Sequence, residues 1–544
     1  MELISQHAKK IMEGCKERAR GKGLSFQDES LEYIVTNRDL LELSPKNMIP
    51  TLYDYWVQDV EVLKGKGRYE LYPGNPYETV INTRPAISFY NDNNPDWLNV
   101  MIFYHVIGHI DFFQNNLYFR HTWDYDFVSR ALSDKRMIAK LRSEKGRWVD
   151  YIIEFARALD NLVGFHKELA RFSGPKKGTK LKRLDFYFDI FLQRQKKVSV
   201  TSYVKEIERY NSLVKENPQE AENQFIESVQ TKFAEFESLY SQYRKDKKTG
   251  GHQDIFRFLM ENSEFLNKDK NRWMLMILEA VRGTSLYFQP QIRTKILNEG
   301  WASYWHEELF LSDDRISGHE VDFAIVNAKV TSMPRVGLNP YALGMRLFSY
   351  LEDLGNKGRI SWNFSHLRDR AERAEFDEKT MSGRDYIFQV RENCSDSMFI
   401  NSFVDQDFVD RHRLFVSGKR LNKERMTWQY YVKSRDAQQY KKMVLDSLYH
   451  PPSIEISVTE DNSLHLNHVF EEKPLVKEYI KGTLLGLEYL WGNQVYLDTS
   501  EATLRNTTGP AGRPQRTEKP PQEVSWRRVR YRMKDRMLSR KDLG

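Results

Sequence analysis

The hydrophobic pattern is strongest near residue 100, where apolar side chains surround a predicted helix on nearly every side. The segment Asn94-Pro95-Asp96 is typical of a helix start, because proline fits the first helical position. The run that follows, from Trp97 to His105, contains no Asp, Glu, Lys or Arg. A helix that is apolar all round is buried. The pattern therefore predicts a central helix in the core of the protein.

Helical periodicity with charged outer faces continues through much of the first two thirds of the chain. Residues 125–245 and 253–311 are predicted as two helical blocks, and Asn339-Pro340 opens a further helix. Two strand-like runs precede the central helix, at 69–72 and 78–82.

From about residue 385 the pattern changes to short runs of β-branched and aromatic residues. Strands are predicted at 398–400, 414–416, 427–432 and 453–458. Helices are predicted around 436–449 and 474–490. We therefore expect an α+β protein, with a mainly helical body over 1–384 and a smaller α/β domain over 385–505.

The remaining segment, 506–544, differs from the rest in charge. The chain has 83 Lys and Arg against 76 Asp and Glu, a net charge of +7. Residues 511–544 hold eleven basic and four acidic side chains, so this tail carries the whole excess. Its apolar residues are spaced by three and four positions: Trp526, Val529, Met533 and Met537. This spacing leaves two predictions open, a flexible basic tail or a basic amphipathic helix that contacts an anionic membrane, nucleic acid or a protein.

Composition narrows the class of protein. Of the 544 residues, 40% are hydrophobic and 13% aromatic, which is enough to build large cores. The only cysteines, Cys15 and Cys394, exclude a disulfide framework and a cysteine-rich zinc site, and they favour a reducing cytoplasm. The N-terminus lacks the pattern of a signal peptide. The longest apolar run, 97–113, is shorter than the roughly 20 residues of a transmembrane helix. We expect a cytoplasmic protein.

Two histidines one helical turn apart, His105 and His109, lie within the predicted central helix. Residues i and i+4 share one face, so both imidazoles can reach the same point, as in helix-borne zinc sites. The alternative is a pair of core histidines, each hydrogen-bonded to a carbonyl or carboxylate. Gly108 between them costs about 1 kcal/mol relative to alanine in a helix, which close approach of another element would explain. Both interpretations stay open on this helix alone.

A second polar group interrupts an apolar stripe in a later predicted helix, which we expect to begin at Pro290. Glu299 and His306 fall on that stripe, seven residues or about 10.5 Å apart along the axis. We therefore do not expect one ion to be bound by both residues from a straight helix. We predict Glu299 as the third ligand of a divalent metal, zinc by donor type, and His306 in an acid–base or oxyanion role.

The predicted ligand set has the composition of the Glu-type zinc peptidases, with one departure. Those enzymes carry a glutamate directly after the first histidine as general base, and this chain has Val106 there. Hydrolysis would need another base, for which His306, Asp111 and Glu307 are the candidates. Asp111 is alternatively a hydrogen-bond partner that orients a histidine.

The same segments resemble the SpoVR family, named after stage V sporulation protein R. The matching segments are 78–82, 105–109 with 111–116, 287–288 with 290–291 and 294–296, 298–306, 339–344, and 490–492 with Val495. The resemblance spans about residues 10–500 and leaves the tail outside. One departure follows Arg282, where the family usually has acidic residues and this chain has Gly283-Thr284-Ser285.

The resemblance implies a cytoplasmic bacterial protein linked to spore cortex (peptidoglycan) formation or to stress physiology. It also implies a serine protein kinase and a companion protein as partners. Two functions follow as hypotheses. The histidine–glutamate cluster favours a metal-dependent, hydrolase-like enzyme, whereas Val106 favours a non-catalytic regulatory or scaffold protein that works with the kinase.

Overall fold

The computed structural model describes most of the chain. The described residues are 2–27, 29–36, 78–92, 94–119, 122, 127–163, 183–188, 191–192, 196, 198, 200–217, 220–246, 254–334, 336–360, 364, 367, 369–378, 381–422, 427–448, 451–470, 473–505 and 523–543. They separate into two compact units. The first comprises Met1–Phe165 with Asp269–Pro451, and the second comprises His166–Lys268 with Pro452–Gly544.

Helices dominate the first unit. They are α1 Gln6–Gly21, α2 Asp96–Asn115, α3 Phe127–Lys145, α4 Trp148–Arg157, α10 Arg272–Arg293, α11 Lys295–Leu311, α12 Glu320–Thr331, α13 Pro340–Asn356, α14 Arg370–Glu375, α15 Gly383–Asn393, α16 Asp396–Phe403, α17 Gln406–Arg411 and α18 Ala437–Ser447. The second unit contains α5 Arg183–Phe186, α6 Val200–Glu216, α7 Ala221–Lys232, α8 Phe236–Asp246, α9 Ile255–Asn262 and α19 Lys477–Trp491.

The strands form three sheets. They are β1 Glu2–Leu3, β2 Ser30–Val35, β3 Glu78–Ile81, β4 Ala86–Asn91, β5 Val416–Asn422, β6 Thr427–Ser434, β7 Ser453–Val458, β8 Leu464–Val469, β9 Val495–Arg505, β10 Glu523–Lys534 and β11 Met537–Asp542. In the first unit, a four-stranded sheet has the order β1-β2-β4-β3 with β2 and β4 parallel, and β5 and β6 form an antiparallel hairpin. In the second unit, a five-stranded sheet has the order β11-β10-β9-β8-β7.

The core of the first unit is built around α2, α11 and α13. Helix α2 is buried from Val100 to Phe113, as its all-round apolar pattern predicts. Helix α11 lies between α2 and α13, and glycines allow the close contacts. A Cβ atom on Gly108 would lie 2.8 Å from the Cα of Ala302, and one on Gly300 would lie 2.4 Å from the Cα of Gly344. These helices are therefore held at a separation that no larger residue at Gly108 or Gly300 permits.

The predicted fold class is confirmed, because a mainly helical body is combined with sheets that include a strand-rich C-terminal region. Of the predicted strands, 78–82, 427–432 and 453–458 match β3, β6 and β7. The run 69–72 lies outside the described residues.

Two local predictions are wrong. Residues 398–400 lie in α16, where Phe399 and Ile400 pack into the helical core and their apolar run fits a buried helix as well as a strand. The helix predicted to begin at Pro290 begins at Lys295, since Pro290 lies inside α10. In the division into two compact units, residues up to 451 group with the first unit. The predicted domain border at 384/385 stays a prediction.

The basic segment is neither a flexible tail nor a helix over residues 523–543. It forms β10 and β11, which extend the sheet of the second unit beyond β9. Val529, Tyr531 and Met533 are buried on one face, whereas the arginines between them are not. An alternation with period two was present in the sequence, and the three- and four-residue spacing obscured it. The partners expected for this basic segment, an anionic membrane, nucleic acid or a protein, stay predictions.

No helix in the described part of the chain combines the length and apolar character needed to cross a bilayer.

Candidate metal centre

Helix α2 presents two buried histidines to one point. His105 and His109 are each 5% exposed, and their Nε2 atoms are 3.1 Å apart. Their rings are nearly perpendicular, with centroids 4.6 Å apart. The one-turn spacing of the two residues thus brings the same ring atom of each histidine to the same place.

Helix α11 adds a carboxylate to this point. The Oε2 atom of Glu299 lies 3.6 Å from His109 Nε2 and 4.0 Å from His105 Nε2. One donor atom from each of the three residues lies within 4.8 Å of the others, and the described residues contain no second such cluster. The contact of Gly108 with Ala302, three residues after Glu299, holds the two helices close enough for this approach.

One oxygen atom of the Glu299 carboxylate is buried beside the histidines. Glu299 is 17% exposed at its side chain, and its Oε2 atom is buried without a hydrogen bond among the described residues. A buried polar atom without a partner costs about 1–3 kcal/mol, more when the group is charged. The position therefore favours a ligand that binds oxygen.

A chain of hydrogen bonds determines which ring nitrogen of His306 carries the proton. The Nδ2 atom of Asn327 donates to the Glu307 carboxylate over 2.7 Å, so the amide oxygen faces His306 Nε2 at 2.9 Å. That oxygen only accepts, so Nε2 of His306 carries the proton. Burial lowers the pKa of His306 to about 4, so its ring is neutral and Nδ1 is an acceptor.

The proton position on His306 also determines which ring nitrogen of His105 carries a proton. Its Nδ1 atom lies 2.9 Å from the acceptor Nδ1 of His306 and therefore carries the proton. Burial, with the neighbouring His109 and His306, holds the pKa of His105 well below its usual range, so this ring is also neutral. The Nε2 atom of His105 is then the electron-pair donor of the ring, and it faces the cluster.

His109 is oriented from the opposite side. Its Nδ1 atom lies 2.8 Å from the side-chain oxygen of Asn298, which accepts a hydrogen bond from Nδ1–H. When Nδ1 donates this bond from a neutral ring, Nε2 of His109 is the electron-pair donor. Two imidazole lone pairs and one carboxylate oxygen thus converge, and a neutral imidazole is the form that binds metals.

The structure brings His306 to the cluster but on the far edge of the His105 ring. Its Nδ1 atom contacts His105 Nδ1, not the Nε2 side where Glu299 lies. This geometry makes His306 an orienting partner of a candidate ligand. Its predicted acid–base role stays a prediction.

Asp111 lies in a separate buried network. Its carboxylate accepts from the backbone of Ser25 and from Trp301 Nε1, each over 2.8 Å, and lies 3.5 Å from Arg391 Nε. Burial raises the pKa of Asp111 to about 6, although the arginine and the donors oppose this rise. These contacts attach α2 to α11 and α15, and they do not involve His105 or His109.

Sequence reasoning missed the two asparagines that orient the rings. Asn298 precedes Glu299 directly, so its position in the motif was a usable signal. Asn327 lies in α12, and nothing in its sequence context connects it to the histidine pair. Only the tertiary contact of α12 with His306 reveals its role.

Comparison with known proteins identifies the family. A family model described as "SpoVR like protein" matches residues 2–450, and the chain belongs to the SpoVR family. It is 22% identical over 498 residues to the "Uncharacterized protein YcgB" of Escherichia coli (strain K12), covering 86% of each chain. No solved structure matches the chain. The whole histidine–glutamate cluster lies inside the matched region.

Proposed function

We propose that the chain binds a divalent cation, zinc by donor type, through His105, His109 and Glu299, and that it uses this cation in hydrolase-like chemistry. The observation that carries the proposal is the convergence of two imidazole lone pairs on a carboxylate oxygen that has no hydrogen bond. Without a cation, these three electron-rich atoms would repel one another or require an additional proton on a histidine. A divalent cation satisfies all three at once.

The distances are compatible with zinc. Two donors at about 2.1 Å from a tetrahedral ion lie about 3.4 Å apart. The donor separations here, 3.1, 3.6 and 4.0 Å, bracket that value. Three protein ligands leave one position open, which is typical of catalytic zinc and not of structural zinc.

When bound, a cation with an open position supplies Lewis-acid activation of a water molecule or a carbonyl group. Neighbouring residues of the chain orient the two imidazole rings. His306 accepts from His105, and Asn298 accepts from His109, so each imidazole is held with its Nε2 lone pair toward the cluster. Partners of this kind fix the tautomer and increase the basicity of a ligand.

A non-catalytic regulatory or scaffold role is the second candidate. Val106 is fully buried and supplies no base beside His105, and the oriented His306 is occupied by two hydrogen bonds. In this case the cation would stabilise the fold, and function would lie in partner binding. A serine protein kinase and its companion protein are the partners that the family resemblance suggests. A role in spore cortex (peptidoglycan) formation or stress physiology is proposed on the same basis.

Metal analysis of untagged protein tests the proposal. We expect about one equivalent of a transition metal per chain, since the described residues contain one such cluster. The variants His105→Ala and Glu299→Gln should lose most of it. His468→Gln is the matched control, because His468 is equally buried but bonds Thr499 in the second unit.

Wild-type protein that contains no transition metal, and gains none from added zinc or manganese, contradicts the metal centre. The two candidate functions are separated by in vivo complementation and kinase co-purification. A metal-free Glu299→Gln chain that still complements and still co-purifies with the kinase favours the scaffold. Loss of complementation with retained co-purification favours the enzyme.

A further inference from the structure

We infer that a cavity beside the candidate centre binds an apolar group of the substrate. This inference rests on the proposed function, because it assigns the cavity to the same centre. The cavity has a volume of about 330 Å³ and extends to His105 and His306. That volume is at the small end of the range for ligand pockets, so it suits a single apolar group and not a large ligand.

The walls of the cavity are mainly hydrocarbon. Helix α2 contributes Leu98, Met101 and Ile102, and α12 contributes Val326 and Val330. The three α2 residues are buried, whereas the two valines are partly exposed. The cavity is therefore closed on the core side, and its entrance lies on the α12 side.

The polar side chains on the walls are engaged by the protein itself. Both ring nitrogens of His306 are bonded, to His105 and to Asn327. Asn339 uses its side-chain oxygen to cap α13 at Tyr341 and its amide group to reach the carbonyl of Val330. A polar ligand group would lose its water here and gain little in exchange.

The aromatic wall supports the same conclusion. The ring of Tyr341 is stacked on His105, with centroids 6.0 Å apart and planes inclined by 17°. An apolar group in the cavity would therefore contact ring faces and aliphatic chains, and its burial contributes about 25 cal/mol per Å².

The cavity and the candidate centre share one residue, His105, since neither His109 nor Glu299 lines the cavity. His105 forms part of the cavity wall, and its Nε2 atom belongs to the metal cluster. A substrate anchored by its apolar group would thus lie against a ligand of the metal. The substrate class that follows is a hydrolysable compound, such as an ester or amide, with an acyl, aliphatic or aromatic substituent.

Binding of N-phenyl-1-naphthylamine, a neutral apolar dye whose fluorescence rises in apolar surroundings, tests the inference on full-length protein. We expect one saturable site. Val330→Trp fills the cavity and should weaken binding by at least about tenfold, because the apolar contact surface is removed. The control is Val321→Trp in the same helix, where Val321 is 72% exposed and outside the cavity. It should leave dye binding within about twofold.

A second variant and two further measurements make the outcome decisive. Val326→Phe also fills the cavity, and it replaces Val330→Trp if that chain does not fold by circular dichroism. Octanol should displace the dye, whereas glycerol should not. Absence of saturable binding, or equal affinity in both filled variants and wild type, overturns the inference. Metal content is measured in parallel, so loss of the metal centre and loss of the cavity site are distinguished.

Discussion

At the scale of single residues, the centre depends on which atom of each imidazole carries a proton. Asn327 donates to Glu307, so its amide oxygen accepts from Nε2 of His306. The Nδ1 atom of His306 then accepts from Nδ1 of His105, which leaves Nε2 of His105 as the atom that faces Glu299. Two hydrogen bonds separate Asn327 from the candidate ligand His105, yet Asn327 determines the tautomer of that ligand. Outer partners of this kind are as important for metal affinity as some direct contacts.

Replacement of Asn327 by alanine should therefore weaken zinc binding by about 10- to 100-fold, which is the usual cost of losing such a partner. The reason is that His306 loses the acceptor that holds its proton on Nε2. Zinc affinity is measured by competition with a chelator of known strength. Asn393→Ala is the control, because the Asn393 side chain donates to the local carbonyl of Gln389 within α15. Equal affinities in the two variants would refute the relay.

The lowered pKa of His306 predicts a pH dependence of stability in metal-free protein. Its pKa is about 4 in the folded state and 6.5 in the unfolded state. Between these values the unfolded chain binds more protons, so this contribution is present above pH 6.5 and is lost as the pH falls to about 4. The full effect is about 3 kcal/mol as an upper estimate.

Urea unfolding of the chelator-treated protein between pH 4 and 7 tests this sign. The free energy of unfolding of His306→Gln should fall less than that of wild type as the pH decreases, because Gln does not titrate. His105 keeps its own contribution, since its pKa is also lowered by burial. A variant with the same or a steeper acid loss would show that His306 does not titrate as proposed.

At the scale of elements, the centre depends on how closely α2 and α11 pack. The contact between Gly108 and Ala302 fixes that separation, and the contact between Gly300 and Gly344 fixes α11 against α13. At the start of α11, Asp396 accepts from the backbone of Ile296 and Leu297, each over 2.9 Å, and so anchors the turn before Glu299. Burial raises the pKa of Asp396 to about 7.

Gly108→Ala should separate α2 from α11, because its Cβ would lie 2.8 Å from a backbone atom. We expect a loss of about 1–3 kcal/mol in stability from overpacking, and weaker zinc binding because Glu299 moves away from the histidines. Gly482→Ala in α19 is the matched control, since its Cβ would meet nothing within 4 Å. That substitution should stabilise the helix by about 0.5–1 kcal/mol.

Thermal and urea unfolding, together with metal content, measure both effects. An alanine at Gly108 that leaves stability and metal content unchanged would show that the helices have room to adjust.

At the scale of the whole molecule, the end of the family match falls at the C-terminal border of the first unit, although the match also includes residues 166–268 of the second unit. The match ends at residue 450, and the first unit ends at Pro451. The candidate centre and the adjoining cavity both lie in this unit. The last strands of the chain lie beyond the match, in the second unit, and they are part of its sheet.

Because β10 is part of that sheet, removal of residues 523–544 should destabilise the second unit and leave the metal content of the first unchanged. A matched pair of substitutions tests the structural role more finely. Met533→Ala should cost about 2–5 kcal/mol, because Met533 is fully buried. Met537→Ala, at a position 74% exposed, should change stability by less than about 0.5 kcal/mol. Similar effects of both substitutions on urea unfolding would restore the tail interpretation.

The sequence by itself determined the buried helix α2, the common face of His105 and His109, and the choice of Glu299 as their complement. The first two follow from local rules, because apolar periodicity and the i, i+4 spacing depend only on helix geometry. Glu299 was chosen by analogy with the ligand set of Glu-type zinc peptidases, and its role as a metal ligand stays a prediction. Segments that fit two periods, such as 398–400 and 526–537, were assigned wrongly, since burial decides between the two structures and local pattern does not.

Only the tertiary structure decided the partners across elements. Asn327 and His306 are brought together by packing of α12, and Asp111 is directed to Trp301 and Arg391 instead of to a histidine. Such contacts join residues that are far apart in the chain, so no local pattern encodes them. The separation of α2 and α11 also depends on glycine contacts at Ala302 and Gly344, whose effect exists only when the helices are packed together.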